Sequence, residues 1–228
     1  MSTEFSYKKD KLGLYAFINR FSNEGYDLVD SDDVSTVEPF YNYTFNTKIN
    51  YEFSEKVKLF VSGRLYCQLQ ENVASASYDG ESQIDEWNFH SKLELKFNER
   101  WDNQLEFYTT TYKAEEFLND TTGNLFSYSD FKQRFLRPEF RTVFKPSAQN
   151  SFIAGVGMQF ESLQRTDFFG HPKFNSFYLY SQYEYSKNDQ FNLILGIRFD
   201  GHNEYTSCLL YTSPSPRDTE VSRMPSSA

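Results

Sequence analysis

Three residues near the end of the chain have the spacing of a ligand set. Asp200, His202 and Glu204 stand at i, i+2 and i+4. On a strand they would share one face, and together they could bind a metal. A metal site, however, needs three or four convergent ligands with supporting hydrogen bonds. The plainer reading is a polar ladder on the wet face of a strand end. A second candidate is the stretch NEGYDLVDSDDVSTVEP, which carries Glu24, Asp27, Asp30, Asp32, Asp33 and Glu38 and no base. A third, QENVASASYDGESQIDEW, carries Glu71, Asp79, Glu81, Asp85 and Glu86, again with no base. Calcium takes six to eight oxygen ligands from such residues, but the spacing fits no EF-hand loop. A solvated acidic rim is the competing reading. Such a rim would attract cationic ligands through its field, weakly at physiological salt. Apart from calcium in these loops, no cofactor is expected. No Gly-x-Ser-x-Gly, phosphate-binding glycine loop or zinc-spaced cysteine pair occurs, so an enzyme is not expected.

Composition constrains what could position such residues. In 228 residues, 19% are aromatic, with 24 Phe and 17 Tyr, yet no run of even twelve apolar residues occurs. A membrane-spanning helix needs about 20. A chain so polar and so aromatic fits a barrel whose strands show one face to lipid and the other to water. Cys67 and Cys208 lie far apart, which argues against a disulfide framework. The net charge of −9 argues against nucleic acid as a partner. The first twenty residues hold no apolar signal-peptide core. The expectation is therefore either a cytoplasmic protein or a sequence that lacks the start of its gene.

Period two dominates the chain. From Phe45 to Phe53 the odd positions are Phe, Thr, Ile, Tyr and Phe, against Asn46, Lys48, Asn50 and Glu52. Val57 to Leu69, Trp87 to Phe97, Phe152 to Phe160 and Phe191 to Phe199 repeat the pattern. The spacing predicts about ten strands, near 4–8, 12–21, 41–53, 57–69, 86–97, 102–112, 133–144, 151–161, 175–185 and 190–201. Short polar turns at 53–57, 97–102, 144–150 and 185–190 alternate with long loops at 22–40, 70–86, 113–132 and 161–174. Tight turns on one side and long loops on the other mark an up-and-down outer-membrane barrel. Tyr51, Phe53, Phe97, Trp101, Phe144, Phe152, Tyr183, Tyr185 and Phe191 fall at short-turn ends with the apolar parity, as an interfacial girdle would. The opposite parity holds Lys48, Lys58, Arg64, Lys92, Lys96, Arg137, Arg141 and Arg198 against Glu52, Glu94, Glu106, Glu139, Glu161, Glu184 and Asp200. That balance leaves the excess acid in the loops.

The stretches AFINRFSNEGYD, FYNYTFNTKINYEFSEKVKLFVSGR, FLRPEFRTVFKPSAQNSFIAGVGMQFE and FNLILGIRFDGHNEYTS resemble the barrel of TonB-dependent outer-membrane receptors, in the style of Bacteroidetes-like bacteria. RFDGHNEY is similar to a frequent strand end of that family, with Asn203 where Ser is usual. The resemblance covers residues 1–207. It implies an all-β, antiparallel, up-and-down transmembrane barrel, of which about ten strands of 22 are present, without plug, TonB box or signal peptide. It further implies a Gram-negative outer-membrane location, lipid around the barrel, and a TonB complex acting through a plug outside this chain. The ligand would be a scarce small nutrient such as a ferric chelate, cobalamin or oligosaccharide. Residues 208–228 hold three of the seven prolines and five serines, with no strand period. They resemble a translated sequencing-adapter tail, so a disordered, non-native segment is expected there. Two rivals remain: a complete ten-stranded outer-membrane barrel, for example an omptin-like protease using Asp200 and His202, and a soluble β-sandwich binding module.

Overall fold

Strict alternation commits the chain to extended backbone, because only a period of two keeps Phe45, Ile49 and Tyr51 on one face. The computed structural model describes residues 1–28, 36–75, 78–166, 170–187 and 191–212. Among these there is no helix and there are eleven strands: β1 (Ser2–Lys9), β2 (Leu12–Asn23), β3 (Phe40–Ser54), β4 (Val57–Ser75), β5 (Tyr78–Asn98), β6 (Trp101–Asp120), β7 (Leu125–Ser147), β8 (Asn150–Arg165), β9 (Lys173–Lys187), β10 (Phe191–His202) and β11 (Cys208–Thr212). They form one sheet in sequence order, each antiparallel to the next.

At one end of the sheet the hairpins are minimal. Ser54 pairs with Val57, Asn98 with Trp101 and Ser147 with Asn150. In each case the side chain before the turn accepts from a turn N–H: Lys56 N to Ser54 Oγ at 3.2 Å, Arg100 N to Asn98 Oδ1 at 2.9 Å, and Gln149 N to Ser147 Oγ at 3.3 Å. Ser and Asn close such turns because their short side chains stand in for a backbone acceptor.

The opposite end corrects two expected loops. Most of 70–86 belongs to β4 and β5, which run as far as Ser75 and from Tyr78. Most of 113–132 belongs to β6 and β7, joined by a short turn at 121–124. The apolar period fades there because both faces of these strands are wet, so nothing demands alternation. The strand count also rises from ten to eleven. Leu209, Leu210 and Tyr211 lie along the free edge of β10, from Asp200–Cys208 to Gly196–Thr212. An unpaired edge is a template for any extended apolar segment.

The two faces differ sharply. The outward face carries Phe45, Leu65, Leu105, Phe107, Val156, Met158, Leu179 and Ile197, all exposed. Among the described hydrophobic residues only Tyr178 is buried, at 3% exposure. A single sheet has no interior, and among the described residues there is no stacked second sheet, which a soluble sandwich requires. A closed ten-stranded barrel would need β1 against β10, whereas β10 lies between β9 and β11. Ten residues of one strand separate Phe97 from Trp87, Trp101 from Thr111, Phe144 from Arg134 and Tyr183 from Lys173. At about 3.3 Å per residue and a tilt near 40°, that interval rises about 25 Å, the height of the apolar band of an outer-membrane barrel.

Candidate functional site

The inner face is the polar one, and its side chains bond along and across the strands. Glu106 on β6 accepts from Arg137 of β7 at 3.2 Å and from Gln104 at 3.0 Å, and His90 Nε2 of β5 lies 3.2 Å from it. Glu86 accepts from Arg64 at 3.1 Å and from Asn88 at 2.7 Å. Asn88 in turn accepts from Tyr108 at 3.0 Å. Lys58–Glu52 and Lys92–Glu94 close at 2.9 and 2.8 Å. Of the expected inner charge set, Lys58 and Glu52, Lys92 and Glu94, and Arg137 and Glu106 thus face one another. Glu86, placed in an acidic loop from sequence, belongs to this wall; its even parity on β5 was the available signal.

Glu139 anchors the densest part. It accepts from the hydroxyls of Tyr178 and Tyr180, the latter at 2.8 Å. Both tyrosines sit on β9, and Glu139 sits two strands away on β7. The rings reach it by crossing β8 where that strand has no side chains: a Cβ on Gly157 would stand 2.3 Å from the Tyr178 ring, and one on Gly155 2.4 Å from Tyr180. The paired patterns G-x-G and Y-x-Y were the sequence signal for this joint. The Arg198 guanidinium lies over the Tyr178 ring at 4.4 Å.

That same guanidinium decides the position of Asp200. It donates to both carboxylate oxygens, Nε to Oδ2 at 2.9 Å and NH2 to Oδ1 at 2.8 Å. His202 turns instead to the chain that follows: its Nδ1 accepts from Glu204 N at 3.0 Å, and its ring meets Tyr205 at 4.6 Å. Asp200, His202 and Glu204 are therefore not brought together. Asp27 lies beyond β2, where Thr36 Oγ1 donates to it at 2.9 Å. Asp30, Asp32 and Asp33 lie outside the described residues. Among the described residues no three His, Cys, Asp or Glu side chains converge as metal ligands. Cys67 and Cys208 are exposed free thiols.

The tall ends of β6 and β7 carry their own polar cluster. Lys113 donates to Glu115, and Tyr128 donates to the other oxygen of Glu115 at 3.0 Å. The Lys113 hydrogen bond holds the Glu115 carboxyl below its usual range, and the bond to Glu115 raises Tyr128. In the turn, Asp120 Oδ1 accepts from Thr122 Oγ1 at 2.6 Å and from Thr122 N and Asn124 N at 2.9 Å. Gly123, at φ +78°, takes the left-handed position. The Thr122 hydroxyl, then the Asn124 backbone, lower the Asp120 carboxyl.

What this arrangement can do is hold a polar object against one face while the other face stays apolar. The carboxylates are engaged by bases, amides and phenols.

An eleven-stranded wall of this kind has solved counterparts. In fold, this is part of an up-and-down outer-membrane β-barrel wall. The chain superposes on the outer membrane transporter YddB from Escherichia coli with a TM-score of 0.69 at 11% identity, over 91% of this chain and 34% of that one. It matches the ferric enterobactin receptor PfeA from Pseudomonas aeruginosa at 0.69 and 8%, over 91% and 37%. The RagAB peptide importer matches at 0.66 and 8%, over 92% and 33%. The chain spans about a third of the length of these transporters. No protein-family model and no curated protein matches it.

Proposed function

We propose that this chain is a stretch of the barrel wall of a TonB-dependent receptor in a Gram-negative outer membrane, one that imports a scarce small nutrient. The observation that carries the reading is the two-faced wall: an apolar outward band edged by Tyr and Trp, and an inner face of interlocked charges. Such a face suits a barrel filled by an interior domain or crossed by a polar solute. The neighbours' cargoes, a ferric siderophore in one case and peptides in another, are chemically unlike, so the fold does not name the cargo here. Energy would come from a TonB complex acting on a plug outside this chain, and the protein would be a transporter rather than an enzyme. The open edges support a segment reading, because hydrocarbon offers unpaired strand groups no partner. Residues 208–228 we take as non-native, with β11 an edge pairing open to any extended segment.

Long-read sequencing of the source locus tests this. The expected frame runs upstream into a plug and signal peptide, and leaves the present sequence at Ser207 to continue through further strands. A signal peptide directly before Met1 and a genuine stop after Ala228 would overturn it.

A further inference from the structure

The outward face changes character at one level, and there it carries cations. Lys113 and Lys132 stand directly opposite each other across β6 and β7. Arg134 lies opposite Ser162, and Ser162 opposite Lys173. Like charges set opposite each other destabilise a sheet. Asp85, opposite Lys113 on β5, and Glu115 offset Lys113, and Asp130 lies two residues from Lys132 on its face, but Lys132, Arg134 and Lys173 form no ion pair with another described residue. In a chain of net charge −9 this runs against composition.

Two hollows lie on this face, one at the cations and one apart from them. One, of about 620 Å³, is lined by Trp87, Thr111, Lys132, Arg134, Phe160 and Lys173. The other, of about 420 Å³, lies nearer the middle of the band and is lined by Leu105, Phe107, Pro138, Phe140 and Met158. Its cause is local. Pro138 has no N–H to donate, and the β7–β8 ladder skips from Leu136–Phe160 to Glu139–Gly157. On either side of Phe107 this row presents a proline ring and the small Ser91.

We propose that this surface holds an anionic lipid of the outer leaflet, its phosphate against Lys132, Arg134 and Lys173 and an acyl chain in the trough beside Pro138. The proposal rests on the outward face being the membrane face. Free phosphate would match only the basic hollow, and the apolar trough beside it selects the lipid.

The test uses the protein purified from membranes and reconstituted in phosphatidylcholine vesicles containing phosphatidic acid, whose headgroup is a phosphate monoester. The Trp87 signal is the part of the fluorescence that Trp87→Phe removes, so tryptophans elsewhere in the full protein drop out, and Trp87 lies at the basic hollow. Brominated acyl chains quench a neighbouring indole. At equal mole fraction, brominated phosphatidic acid should quench Trp87 more strongly than brominated phosphatidylcholine does, reflecting enrichment of about fivefold per engaged cation. Joint replacement Lys132→Gln, Arg134→Gln and Lys173→Gln should abolish the difference, while Lys132→Arg with Lys173→Arg should keep it. Equal quenching by the two lipids in the parent overturns the site. Loss of the difference on adding inorganic phosphate overturns the acyl-chain half. No quenching by either lipid overturns the membrane-face reading itself, a separate failure.

Discussion

At the scale of single residues, the joint between β7 and β9 is the place where packing and polarity depend on each other. Gly157 is required only because Tyr178 lies across it. Gly157→Ala should therefore destabilise the parent by about 1–3 kcal/mol, but have little effect in a Tyr178→Ala background. A double-mutant cycle in urea, read by tryptophan fluorescence, measures that coupling. Independent effects that simply add would refute the joint. Asp120 offers a second test. Its carboxyl is lowered in the folded turn, so its contribution is complete above the ordinary aspartate range and lost as pH falls through the lowered value. Amide protection at Thr122 and Asn124, taken relative to the intrinsic exchange rate at each pH, should fall on acidification and be low at neutral pH in Asp120→Ala. Exchange that ignores both changes would remove Asp120 as the organiser of the turn.

Elements extend this logic along the strand. A basic residue on the outward face should cost most in the middle of the band and little above it. Phe107→Arg should lower stability by about 2–4 kcal/mol, and Phe117→Arg, beyond the Lys113 level, by about 0–1 kcal/mol. Unfolding titrations of the vesicle-inserted protein give both values, and equal costs would contradict the assigned band. The same boundary explains what was legible beforehand. Between Trp101 and Thr111 one face meets an apolar medium, so the sequence must alternate and β6 is plain to read. From Lys113 to Asp120 both faces meet water, the alternation lapses, and an ordered strand looks like a loop. The inner charges were legible by parity, but their partners were not, since register decides that Arg137 meets Glu106. Asp200 and His202 share a parity, yet Arg198, which shares it too, claims the carboxylate.

For the whole molecule, the open sheet sets the terms. On the proposed reading, Met1–Ser207 refolded in detergent should give no monodisperse, heat-modifiable species, because two strand edges lack partners. A sharp band that shifts on boiling would favour a self-sufficient small barrel. The strands of the sheet are also unequal: β4 to β7 run 19, 21, 20 and 23 residues, while β2 has 12 and β9 has 15. The excess stands above the band as laddered backbone, not as slack chain, so it behaves as a stiff parapet on one flank. From Thr111 to Asp120 it climbs about 20 Å at the same tilt. On the proposed reading, a particle descending on this stretch of wall meets that parapet first.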